Sequence, residues 1–291
     1  MSRAWAWLRR NALLLYAAVA VGYMLVPIFV IGLFSFDQTS SAKLDYRWSG
    51  FTLDPWKDAF ADESVNEAMV TSIQLAALST LVATVLGTLM ALALVRHKFR
   101  GRGISNLLIV LPMATPEIVI GAALLSMFLI YGIGLGFTTL FIAHVMFSIS
   151  FVVVVVRSRL IGFDRSLEEA AADLGARPLT TFRTITLPLL APGIVAAALL
   201  AFALSIDDFV ISNFNSGTTE TFPLYIFGVS LRGIPVQVNV LATMLFLVAV
   251  VCIALVLWQQ RQAERMAAVR PDPEPSTAPP GGLVREPATS R

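Results

Sequence analysis

Three carboxylates lie inside stretches of sequence that are otherwise apolar: Glu117 and the adjacent pair Asp207 and Asp208. A carboxylate at mid-bilayer costs on the order of 3 kcal/mol on insertion scales, so it needs a partner, a wet cavity or a proton. Glu117 falls about ten residues, roughly 15 Å, into its apolar run. Asp207 and Asp208 come toward the outer end of theirs. No Lys or Arg sits well inside any run, and His144 is the one basic group at hand. Acids in that setting suit a pathway for a cation or a subunit interface. A protonated structural role for Glu117 and a polar helix end for the two aspartates are the plainer readings. For His144 a hydrogen-bonded packing role is the simpler expectation.

Catalytic chemistry is absent from the rest of the chain. It has no Walker A run, no Gly-x-Ser-x-Gly, no His-Glu-x-x-His and no paired cysteines. Gly132, Gly134 and Gly136 make a turn and no phosphate loop, because no Lys-Ser or Lys-Thr follows. Cys252, the one cysteine, lies in an apolar run and reads as a small hydrophobe. Any nucleotide-driven work must therefore come from another polypeptide.

The most patterned polar stretch is Glu169-Ala-Ala-Ala-Asp-Leu-Gly175, continued to Ile185-Thr-Leu-Pro188. Ser166 followed by Glu169 has capping-box spacing and predicts a helix start. Leu167, Ala170, Ala171 and Leu174 would share one face, leaving Glu168, Glu169 and Asp173 wet. Gly175 suits a left-handed helix end, and Pro178 argues against immediate resumption. By pattern alone this is a docking helix or an ordinary amphipathic connector.

These elements need a scaffold, and composition supplies its class. With 57% hydrophobic and 14% charged residues over 291 positions, the chain is a polytopic helical membrane protein. A formal net charge of +2 gives no case for nucleic acid. Apolar runs predict six spans, at about 11–34, 70–95, 107–131, 137–156, 189–214 and 239–258. Residues 1–10 precede them, 158–188 form the patterned loop, and 259–291 make a tail that is Pro-rich and disordered by composition. The third span is expected to break early, at Pro112 and Pro116. Small residues recur at four-residue spacing in two spans (Ala83, Gly87, Ala91; Gly193, Ala197, Ala201), which lets helices approach closely. The outer segment 215–238 has room for a partly inserted helix.

Glu-Ala-Ala, three residues, Gly, nine residues and Ile-x-Leu-Pro resembles the signature loop of binding-protein-dependent ABC import permeases. Glu169, Ala170, Ala171, Gly175, Ile185, Leu187 and Pro188 each fall on that pattern. Leu204–Phe214 and Val238–Thr243 are similar to spermidine/putrescine permeases, and the resemblance runs from about Phe51 to Trp258. It implies a type I ABC importer permease fold: an all-α membrane protein of six transmembrane helices with a cytoplasmic coupling helix. It implies ATPase coupling through the patterned residues together with Glu168, Asp173 and Leu174. The expected partners are a second permease subunit, an ATPase dimer, an extracytoplasmic substrate-binding protein and the bilayer of the bacterial inner membrane. No cofactor is expected on this chain, with ATP and Mg held by the ATPase. Importers of thiamine, ferric iron or an oxyanion share the loop and stay open as alternatives. An ion-coupled carrier would need an inverted repeat, which the sequence does not show.

Charge fixes the expected orientation. Both termini inside puts 17 of the 21 Lys and Arg on the cytoplasmic side, leaving Lys43, Arg47, Lys57 and Arg232 outside. In a Cys252→Ala background, cysteines at Ser41 and Thr218 should react with an impermeant thiol reagent applied outside, and cysteines at Ser105 and Thr180 should not. The reverse labelling pattern would invert the topology.

Overall fold

Long apolar runs dictate helices, because a backbone in lipid must satisfy its own polar groups. The computed structural model describes residues 3–38, 47–231 and 235–268. Among them the one extended pairing is an isolated antiparallel bridge between Asp37 and Phe51. The helices are α1 (Arg3–Phe34), α2 (Asp54–Lys57), α3 (Glu63–Arg96), α4 (Arg102–Ala114), α5 (Glu117–Ile130), α6 (Phe137–Ile161), α7 (Ser166–Asp173), α8 (Pro178–Thr181), α9 (Leu187–Ile206), α10 (Val210–Asn215), α11 (Phe222–Ser230) and α12 (Val236–Ala268). A π-helical turn, Phe182–Thr186, joins α8 to α9. Packing divides the described residues into two units, one within 33–240 and the other of 3–32 with 241–268. No residue of α1 from Asn11 to Phe34 is buried, as suits a helix apolar all round. The Pro-rich tail, Lys43 and Arg232 lie outside the described residues.

α1, α3, α6 and the run Pro178–Ile206 are each long and apolar enough to cross a bilayer. α4 and α5 qualify only together, and Val236–Cys252 is a shorter apolar stretch. Two of the six expected spans need correction. The third is two helices bent by 110°. Pro112 stays within α4, and the break falls at Thr115 and Pro116, both with extended ψ. The fifth starts at Pro178, not Leu189, and ends at Ile206, not Phe214. Pro178 takes the first helical position, where its missing N–H costs nothing. Pro188 cannot donate either, and the turn before it is wound wider: the Leu187 amide reaches back to the Phe182 carbonyl.

The larger unit is built on α3, α6 and α9. Ala83, Ala91, Ala197 and Ala201 are fully buried among Val152, Val153, Val156 and Leu190. The small-residue stripes thus serve close helix approach, as their spacing predicts. At Gly87 a Cβ would lie 2.6 Å from the branched Val152 side chain. A second cluster, with Ile120, Leu124, Phe128, Phe147 and Ile211, joins α5, α6 and α10.

Between α9 and α10 the backbone is non-helical at Asp207–Phe209, and a polar network holds the break. Asp208 Oδ1 accepts the Ile211 amide at 3.2 Å, and Oδ2 accepts the Ser212 amide at 2.8 Å and its hydroxyl at 2.9 Å. His144, on α6, lies with Nε2 3.0 Å from Ser212 Oγ and 3.4 Å from Asp208 Oδ2. Its Nδ1 is 2.7 Å from Ser205 Oγ, which in turn is 3.1 Å from Ser79 Oγ on α3. Four helices thus share one buried chain of hydrogen bonds. Asp208→Ala would leave His144 and the α10 amides without their acceptor and should cost about 3–5 kcal/mol. The measure is the thermal unfolding midpoint in detergent, which Asp207→Ala should barely shift. An unmoved midpoint for Asp208→Ala would mean the network does not hold the break.

Candidate functional site

The patterned loop folds as a helix, by a different start than the spacing predicts. Ser166 is the first helical residue and caps nothing. Asp164 does that work, its Oδ1 accepting the Ser166 amide at 2.9 Å. This bond and the Ser166 hydroxyl hold Asp164 below the usual carboxylate range. The end matches the expectation. Gly175 has φ +81°, its amide reaches the Ala172 carbonyl at 2.9 Å, and the Ala176 amide reaches the Ala171 carbonyl at 3.0 Å. This is the paired bonding that a left-handed glycine closes. Arg177 then runs extended into α8, so the chain resumes helix at once, contrary to the reading of Pro178.

The faces of α7 also differ from the pattern. Of the four small or apolar residues only Ala171 is buried; Leu167, Ala170 and Leu174 are exposed, Leu174 by 89%. Glu169 and Asp173 are exposed beside them. Glu168, expected wet, turns inward: one carboxylate oxygen accepts from the Arg96 guanidinium at the end of α3 and from the Thr186 hydroxyl in the π turn. Arg165 donates to the Val95 carbonyl at 3.4 Å. Neither Arg96 nor Thr186 was legible as a partner, since no local spacing links residues so far apart. Ile185 is half-buried in the π turn, and Leu187 and Pro188 are exposed at the start of α9. The result is a short helix fixed on one side to its own bundle and open on the other. Exposed leucines flanked by carboxylates equip that open side to dock on another protein.

The acids gather at the two helix breaks. Glu117 is the first residue of α5, not a mid-helix residue, and the positive end of that helix favours its carboxylate. It is exposed, as is Asp207 at the end of α9. Glu117 lies within electrostatic reach of Asp207 and Asp208. α5 and α10 pack closely: Phe214 sits on Gly121, where a Cβ would be 2.8 Å from its ring, and Asn215 donates to the Gly121 carbonyl at 3.3 Å. Asp208 is turned into the protein, its side chain 5% exposed. His144, the one basic group at hand in the sequence, thus partners Asp208. Among the described residues no ion pair involves Glu117 or Asp207. Two exposed carboxylates on adjoining breaks, backed by a buried third, make an electronegative surface on residues meant for the membrane.

The family model for the binding-protein-dependent transport system inner membrane component matches residues 83–268. The spermidine/putrescine transport system permease protein PotC of Haemophilus influenzae is 36% identical over 84% of this chain and 94% of its own length. The putrescine transport system permease protein PotI of Escherichia coli is 38% identical over 81% of this chain and 85% of its own. Among solved structures, a bacterial ABC transporter that imports the acidic polysaccharide alginate aligns with TM-score 0.63 over 91% of this chain and 99% of that one. The methionine transporter MetNI aligns with TM-score 0.55 over 69% and 98%. Their identities of 18% and 15% speak for the fold alone. A short helix with the signature spacing, helices as the regular elements of the described residues and a family match over more than half the chain converge: this chain belongs to the inner-membrane components of binding-protein-dependent transport systems, as a permease subunit of an ABC importer.

Proposed function

We propose that this chain is one of two permease subunits of a polyamine importer, and that Glu117 and Asp207 line the route of the cation. The observation that carries the reading is the pair of exposed acids that have no ion-pair partner among the described residues, at the α4–α5 and α9–α10 breaks. Primary and secondary ammonium groups donate strongly to carboxylates. Spaced acids attract such a solute through successive sites without trapping it. The names of the relatives, spermidine/putrescine and putrescine permeases, favour the same solute class. Asp208 stands behind the pair, holding α10 in place. The excess of Lys and Arg beside α7 puts this helix and both termini in the cytoplasm. There α7 docks on an ATPase dimer through Leu167, Glu169, Ala170, Asp173 and Leu174. ATP and Mg belong to that ATPase, and this chain binds no cofactor. An extracytoplasmic binding protein delivers the solute to the opposite side.

Glu117→Gln and Asp207→Asn, made singly in the assembled complex, should each lower uptake of labelled spermidine and putrescine by about tenfold, the worth of roughly one lost charge-assisted bond. Wild-type uptake in both variants, or a complex that carries only anions, would overturn the cation reading.

Gly175→Val tests the docking side. Open space surrounds the missing Cβ, so the cost is conformational, about 1–2 kcal/mol for a side chain at this φ. The variant should insert normally yet retain less ATPase on co-purification. Undiminished retention and uptake would leave α7 without the docking role.

A further inference from the structure

α7 is attached by two short linkers, Gly162–Arg165 before it and Leu174–Arg177 after it. One linker carries the left-handed Gly175 and the other begins at Gly162. Held by these alone, the helix would swivel under load, and a pull on it would be spent in the linkers. Glu168 supplies a further attachment. Its carboxylate meets Arg96, the last residue of α3, and Thr186, the last residue of the π turn below α9. Thr186 is 1% exposed, and the Arg96 and Glu168 side chains are half-buried, so the cluster is partly sheltered from water.

We propose that Glu168 is a positioning residue that ties the docking helix to α3 and α9 at once, so that its displacement moves both spans together. The proposal rests on the reading of α7 as the ATPase-docking helix. It separates the two neighbouring glutamates: Glu169 faces outward and Glu168 faces the chain's own bundle.

The far ends of the two spans give the tie its purpose. α3 is an unbroken helix of 34 residues, about 50 Å at 1.5 Å per residue. Near its other end Ser72 Oγ accepts the Phe222 amide at 2.7 Å, and Asp62 lies 3.4 Å from the Tyr225 hydroxyl, both partners on α11. α9 ends at the break that carries Asp207, where Phe209 packs on Phe227 of α11 with ring centroids 4.8 Å apart. At their other ends α3 therefore meets α11 directly, and the chain leaving α9 meets it through Phe209, just past the last turn. A pair driven from Glu168 thus leads both to α11 and to the acid break. The π turn matters here too, because it joins α8 to α9 and Thr186 is its last residue. Fixing Thr186 to Arg96 through one carboxylate stiffens that junction.

The test uses the whole complex in proteoliposomes and reads spermidine moved per ATP hydrolysed. Glu168→Ala and Arg96→Glu should each lower that ratio about tenfold, within the range by which residues between two sites alter coupling. The exchanged pair, Glu168→Arg with Arg96→Glu, should return it to within about threefold of wild type, because the Thr186 hydroxyl accepts as readily as it donates. A role in assembly alone lowers uptake and hydrolysis in proportion, so an unchanged ratio in both single variants overturns the proposal. An exchanged pair no better than the worse single variant also overturns it. A wild-type chain that recruits no ATPase overturns the docking reading and this inference with it. If the wild-type complex hydrolyses ATP without moving spermidine, only the solute is misassigned. The ratio is then replaced by the ATP-dependent change in thiol labelling of a cysteine at the exposed Asn213. Retention of that change in Glu168→Ala refutes the tie, and its loss supports it.

Discussion

A helix that breaks inside a membrane leaves backbone amides and carbonyls with no water to take them, and everything distinctive in this protein follows from how two such breaks are satisfied. At the α9–α10 break Asp208 answers the amides of Ile211 and Ser212, and His144 answers Asp208. At the α4–α5 break Pro116 removes one amide from the problem, and the chain leaves α4 with Thr115 Oγ1 donating to the Leu111 carbonyl at 2.7 Å. Because those needs are met within the chain, Glu117 and Asp207 are left over. Their carboxylates are not consumed in holding the fold.

The same division of labour recurs at the opposite end. Of the two adjacent glutamates on α7, one is used up in fixing the helix and the other stays exposed. In each place a pair of acids divides into a structural member and a free one. The structural members, Asp208 and Glu168, are the ones with a basic side chain from another helix. An acid pair of this kind gives a precise site because one partner determines where the backbone of the other must lie. The site is then as rigid as the helix packing behind it, here the close contact of α3, α6 and α9 over small residues.

What the sequence made legible was what depends on periodicity, composition and fixed local geometry. The apolar runs gave the spans, the four-residue stripes gave the α3 and α9 contact faces, and Gly175 gave a left-handed helix end. Pairings across the bundle were not legible. Arg96 with Glu168, or His144 with Ser205, joins residues whose proximity is decided only after the helices have packed. Prolines misled in an instructive way. Pro112 sits within α4 and ends nothing, and Pro178 starts α8, where one missing amide is tolerated at a first turn. Pro116 does end a helix, since the residue before it is pushed to extended ψ. The capping of α7 by Asp164 rather than Ser166 was within reach of the sequence, as an aspartate just ahead of a helix is itself a cap signal.

The buried chain from Asp208 to Ser79 also bears on how the molecule is made. Its members are far apart in order of synthesis: 61 residues separate His144 from Ser205, and 126 separate Ser79 from Ser205. Spans enter the membrane largely in the order in which the ribosome produces them. His144 is therefore made before Ser205, Asp208 and Ser212, and an imidazole without partners inside a bilayer is costly. A chain halted after α6 carries that uncovered ring, and a complete one hides it. The network is a record of completion written in hydrogen bonds, and a nascent chain that lacks its last third exposes the omission at the middle of the bundle.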